Sequence, residues 1–175
     1  AGSAILTTPI NSYAYVKKWT VGEIMDLFIS KVSSSPFPNT VDTLKAGSRD
    51  SEVSGIVTTM FATIPVINQA KNLGANFIIA HEPTFYNHLD ETEWLQNNEV
   101  FQHKMKLLNR YKIAVWRNHD YIHSHKPDGV YNGVLEKLEW TKYASQDAPW
   151  NVAIPQTRLH DLIHTIKSKL SINSV

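Results

Sequence analysis

His81-Glu82-Pro83 follows the apolar run 76–80 (Asn-Phe-Ile-Ile-Ala) without a break. His119-Asp120-Tyr121-Ile122-His123 follows a second apolar run, 112–117, after a single Asn118. Imidazole and carboxylate are ligands for zinc, iron and manganese, and imidazole also moves protons near neutral pH. The i, i+4 spacing of His119 and His123 suits one metal on a single helical turn. Pro83 disfavours helix at Glu82, so His81 and Glu82 leave their strand extended and point opposite ways. They could serve two metals, or one metal and the groups around it. His81 and Glu82 are therefore candidate metal ligands, His119, Asp120, His123 and His125 are four more in seven residues, and a His119 or Asp120 left free could shuttle a proton. The plain alternatives are a strand-end histidine bonded to backbone, and a polar surface loop.

Other polar groups compete less well for this role. His125 adds a further imidazole beside His123. His88, Asp90, Glu91 and Glu93 read as a mostly solvated loop that could contact a substrate. His160 and His164 are also i, i+4, but they flank an apolar stripe and face outward. Pro127-Asp128-Gly129 is turn chemistry. Thr58-Thr59-Met60 ends an earlier strand and could line the same groove.

The elements that would carry these residues follow from periodicity. Thr20-Val-Gly-Glu23 is a capping box opening a helix with Ile24, Leu27, Phe28 and Val32 on its apolar face. Residues 41–47 read as turns, and 53–59 as a β-branched strand. Val66, Ile67, Ala70 and Leu73 mark a helix closed by Gly74. Strand 76–80 follows, then a helix from Trp94 to Tyr111, strand 112–117 and a helix over 133–138. This β-α-β-α-β order predicts an α/β fold, a mixed, mainly parallel sheet flanked by helices. In such a sheet, ligands bind outside the carboxyl ends of the strands, where both histidine clusters fall. Pro155-Gln-Thr157 is expected to cap a last helix bearing Leu159, Leu162, Ile163, Ile166 and Leu170. The expected organisation is an arm at 1–19, an α/β lobe at 20–145, and the start of a second α/β lobe at 146–175 that stops short.

Composition narrows the classes. A net charge of +1 over 175 residues gives no sign of a nucleic-acid or membrane partner. The chain has no cysteine, so thiolate nucleophiles and Cys-based zinc sites are excluded. No GxSxG, P-loop or GxGxxG occurs. The chain opens on Ala1 without methionine; a cytoplasmic location is expected, with an exported form left open.

In order and spacing, Val41-Asp-Thr, Gly55-Ile-Val-Thr-Thr, 74–81 (Gly-Ala-Asn-Phe-Ile-Ile-Ala-His), 114–123 and Asp128-Gly129-Val130 resemble the Nif-three-like family, often labelled type 2 GTP cyclohydrolase I. The resemblance runs from Thr20 to about Ile166. It implies the Nif-three-like fold, a dinuclear metal site and a ring-shaped homo-oligomer. The family's His-His-Pro is His81-Glu82-Pro83 here, and its His-Thr-x-x-Asp places His123 where an aspartate ligand would stand. One imidazole has become carboxylate and one carboxylate imidazole, so ligand charge is roughly kept. The family's remaining His and Glu ligands have no counterpart in this segment. The expected function is a metal-dependent hydrolase of a small molecule of unknown identity, holding one or two divalent ions (zinc, iron or manganese). The competing expectation is a non-catalytic metal-binding scaffold or partner-binding protein.

Overall fold

The computed structural model describes residues 17–145, 147, 148 and 150–175, so most of the expected arm, 1–16, lies outside the described residues. Four strands form one mixed sheet: β1 (Leu44–Ala46), β2 (Ile56–Thr59), β3 (Phe77–Ala80) and β4 (Ala114–Arg117), in the order β1-β4-β3-β2. β2, β3 and β4 run parallel, with Ile78 opposite both Val57 and Val115. β1 lies antiparallel on β4. The mixed, mainly parallel sheet expected from the sequence is present. The segment read there as turns contains β1 itself, three residues long and irregular in register. Gly47 ends it at φ +84°, and a Cβ there would lie 2.7 Å from the Ala114 Cα. Only glycine lets the chain leave β1 so close to β4.

β3 and β4 are buried at every position, as parallel strands covered on both faces must be. On one face Ile78 and Val115 pack under Ile67 and Ala70 of α2 (Ile64–Asn72) and Leu108 of α3 (Glu99–Tyr111). On the other, Phe77, Ile79 and Trp116 pack under Val21, Ile24 and Met25 of α1 (Val21–Ile29) and under Tyr121. Each fully buried Val, Ile, Leu, Met or Phe among them stabilises the fold by about 1.5–3 kcal/mol.

The capping box closes as expected, with the Glu23 amide 3.2 Å from the Thr20 hydroxyl and the Thr20 amide 2.9 Å from the Glu23 carboxylate. The buried stripe of α1 is Val21, Ile24 and Met25, whereas Leu27 is 46% exposed. α3 begins at Glu99, not Trp94, because the Asn98 side chain accepts from the Phe101 amide at 3.0 Å and starts the helix there. Glu93–Leu95 is a separate 3-10 turn. α5 (Gly129–Leu138) starts four residues before Gly133, because Asp128 accepts from the Tyr131 amide at 2.9 Å. α6 (Leu159–Leu170) has Arg158 at its N-cap without a side-chain bond, and Thr157 donates to the Pro155 carbonyl instead. α6 rests on α5 and joins it through Lys169–Glu139. Among the described residues, no helix is long and apolar enough to cross a membrane.

Candidate metal centre

β3 delivers His81 at its carboxyl end, where the His81 amide donates to the Thr59 carbonyl of β2 at 3.0 Å. β4 delivers Asn118 and His119, and the chain then makes one helical turn, α4 (Asp120–Ser124). One turn is long enough to set His119 and His123 side by side. The ring centroids of His81 and His119 are 4.7 Å apart, and each lies 5.0 Å from that of His123. A donor nitrogen from each of the three rings lies within 4.8 Å of the other two.

All three rings are tied to the protein through Nδ1. His81 Nδ1 meets the Asn118 carbonyl at 3.3 Å, His119 Nδ1 meets Asp120 at 3.1 Å, and His123 Nδ1 meets Asp128 at 2.7 Å. A carbonyl or carboxylate can only accept, so each Nδ1 carries the hydrogen. In the neutral ring Nε2 is then the nitrogen with a free lone pair. A carboxylate or carbonyl behind each imidazole is the usual support of a metal-binding histidine, fixing tautomer and orientation. Burial lowers the pKa of His81, and the neighbouring imidazoles of His119 and His123 lower it further against the Asn118 carbonyl and Glu82. His81 is thereby held in the neutral, ligating form. Burial pushes the Asp120 carboxyl up, but bonds from the Thr40 hydroxyl, His119 and the Val41 amide bring it below its ordinary range. Asp128 behaves alike, with the Tyr131 amide and His123 outweighing burial.

The single turn of α4 cannot hold itself. Buried Asp42 accepts from the His119 amide at 2.7 Å and the Tyr121 amide at 2.8 Å, giving the turn a carboxylate at its amino end. The Asp42 carbonyl accepts from the Trp116 indole at 3.1 Å. Tyr121 stacks on Phe37 at 4.7 Å, and its hydroxyl accepts from the Phe37 amide. Thr40 donates to the second oxygen of Asp120 at 2.8 Å. The segment 37–42 thus grips α4 along its length.

Glu82 lies outside the three-imidazole group. Its carboxylate lies 3.7 Å from Arg117, a guanidinium with no solvent exposure. Arg117 also donates to the backbone carbonyls of His81 and His88. It fastens the segment 81–88 across the end of β4 and brings the His88 ring to 5.9 Å from His119. Asp90, read from sequence as part of a solvated loop, is buried and accepts from the Thr84 and Phe85 amides, both at 2.7 Å, with Lys45 3.8 Å away. His103, His125, His160 and His164 lie outside the three-imidazole group. Thr58, Thr59 and Met60 border a cleft of about 360 Å³ that reaches His81 and Asn118 and is walled by Phe28, Ile122 and Val130.

Sequence reading names all three imidazoles and Asp120, gives His119 and Asp120 to proton transfer, and misses the other supports. Asp42 appeared only within a motif, Thr40 not at all, and Asp128 as a turn residue. Asp128 lies five residues beyond His123, and that interval was the available signal.

Residues 40–175 match the model of the family described as Duf34/NIF3 (NGG1p interacting factor 3). No curated protein matches the sequence. The fold is similar to Staphylococcus aureus hypothetical protein SA1388, at 24% identity and TM-score 0.56, covering 71% of this chain and 34% of that one. It is similar to a Bacillus cereus protein related to NIF3, at 24% identity and TM-score 0.55, covering 72% and 34%. Reduced HcgD from Methanocaldococcus jannaschii gives 16% identity and TM-score 0.63, covering 87% and 61%. The chain spans about a third of the length of the first two.

Proposed function

We propose, from the premise that this chain belongs to the Duf34/NIF3 family, that His81, His119 and His123 hold a divalent metal ion and that the site hydrolyses a small molecule. The observation that carries this reading is the group of three imidazoles at adjoining strand ends, each anchored through Nδ1. The donor set fits zinc, iron or manganese: three imidazoles each bonded to the protein through Nδ1, two of them to carboxylates. A bound ion supplies a polarising charge and lowers the pKa of water. A second ion would need further ligands, for which His88, its ring 5.9 Å from that of His119, is a source.

The residues perform the rest. Asp120 and Asp128 accept the Nδ1 hydrogens of His119 and His123 and so leave each Nε2 lone pair for the ion. Phe28, Ile122 and Val130 exclude water from one side of the cleft beside His81, whose size suits a compact cyclic amide, amidine or phosphoester. A ring-shaped homo-oligomer belongs to the same proposal, and so does a cytoplasmic location.

The test is turnover by chain reconstituted with zinc, iron or manganese on cyclic amides, amidines and phosphoesters. Hydrolysis that requires metal and disappears in His81→Ala is expected. Bound metal with no hydrolysis in any class, and with no exchangeable water by relaxation of a manganese-loaded sample, would overturn the hydrolase reading. That result would favour the scaffold instead, in keeping with a family described by an interaction.

A further inference from the structure

A second cleft, of about 710 Å³, opens between the start of α2, the segment 85–98 and the start of α3. Its walls are aromatic. Phe85 meets Phe101 edge to face at 5.0 Å, and Tyr86 meets Trp94 edge to face at 5.0 Å. Tyr86 and Trp94 are 72% and 57% exposed, a large apolar surface to leave facing water. Lys104 also lines this cleft, near the Phe85 ring at 5.6 Å. Its amine donates to the Thr84 carbonyl, and among the described residues no carboxylate lies within 4.0 Å of it. Burial lowers the Lys104 pKa, with only the more distant Asp90 opposing. An ammonium drawn out of water beside aromatic rings, bonded to a neutral carbonyl, is a charge without its complement. The contrast with Lys45 is direct: Lys45 is also partly buried but has Asp90 at 3.8 Å.

We propose that this cleft binds a small planar aromatic anion, its ring against Trp94, Tyr86 and Phe85 and its anionic group on the Lys104 ammonium. The volume lies within the range of small-molecule sites. Offset and edge-to-face contacts with several rings favour a flat aromatic ligand over an aliphatic one. The site is separate from the three imidazoles and does not depend on metal.

The experiment is calorimetric titration of the chain with 2-naphthoate, naphthalene-2-carboxamide, cyclohexanecarboxylate and 2-naphthyl phosphate. Saturable binding of 2-naphthoate is expected, at least tenfold tighter than the carboxamide or cyclohexanecarboxylate. Comparison with the phosphate decides which anion the amine prefers. Trp94→Ala and Lys104→Met are each expected to weaken 2-naphthoate at least tenfold, with Lys104→Arg retaining part of it. Chelator treatment and His81→Ala are expected to leave it unchanged, which separates this proposal from the metal site. No saturation at millimolar 2-naphthoate, or equal affinity for the neutral carboxamide, would overturn it without reliance on any variant. Loss of binding on chelation would assign the anion to the metal site and also overturn it. So would a change of oligomer mass in Trp94→Ala in a chain that does not bind 2-naphthoate, since the cleft would then be a protein interface.

Discussion

Asp42→Ala is expected to loosen α4 and with it two of the three imidazoles. The Asp42 carboxylate is 4% exposed and accepts from two backbone amides, at 2.7 and 2.8 Å. A hydrogen bond to a charged group contributes about 1.5–3 kcal/mol, and a buried donor left unpaired costs a comparable amount. Two such bonds give about 3–6 kcal/mol, against about 5–15 kcal/mol for a typical domain. Asp42→Asn keeps one acceptor oxygen and turns an amide group toward the second N–H, so roughly half that loss is expected. With a urea slope of about 1–3 kcal/mol per molar, the Asn variant should unfold about 0.5–3 M earlier. Its zinc affinity, measured by competition with a chelating dye, should fall about tenfold because the His119 backbone is no longer held. An Asp42→Asn chain with a urea midpoint within about 0.2 M of wild type and unchanged zinc affinity would refute the claim that Asp42 holds α4.

Asp128→Asn keeps the helix cap on Tyr131 but removes the charge behind His123; zinc affinity is expected to drop about 10–100-fold with little change in melting temperature, and equal affinity would contradict the orienting role. Metal-free protein should lose stability as pH falls from about 7.5 to 5, because the folded pKa of His81 is depressed. The unfolded chain therefore takes up that proton first, near the ordinary imidazole value of about 6.5, and the cost is complete below the folded value. Melting temperatures that stay flat or rise over this range would count against burial of a neutral His81 beside His119 and His123. Asp120 and Asp128, held low, add stability that is lost only as pH falls below the ordinary carboxylate range. Arg117→Met strips the donors from the His81 and His88 carbonyls and leaves Glu82 unpaired; a loss of roughly 3 kcal/mol or more by denaturant melt is expected. A loss below about 1 kcal/mol would show that Arg117 does not fasten the 81–88 segment.

The parts of this fold written in local pattern were legible. β3 and β4 are continuous apolar runs, α1 carries its capping box, and α2 ends before a glycine at φ +70°. What escaped was set by contacts distant in sequence. β1 is three residues long and exists as a strand because β4 is beside it. Leu27 and Met25 both fit an apolar stripe, and only the position of the sheet decides which is buried. In the site, the ligand-type residues announced themselves by strand ends and by the spacing of His119 and His123. Asp120 came with them, but Thr40 and Asp42 did not, since they reach α4 across nearly eighty residues. Asp128 is a turn residue and a helix cap by sequence, and its second oxygen meets His123 only once α4 has folded back. Glu82 shows the limit of reading type without direction: the right chemistry beside His81, aimed at a guanidinium.

The most direct test of the metal centre is elemental analysis of purified chain after zinc loading and exhaustive buffer exchange, beside His81→Ala, His119→Ala, His123→Ala and His160→Ala. About one equivalent or more of retained metal in wild type and His160→Ala, with little in the other three, is the predicted result. Metal at background in wild type, or retained equally in all five proteins, would contradict a site built on these three imidazoles.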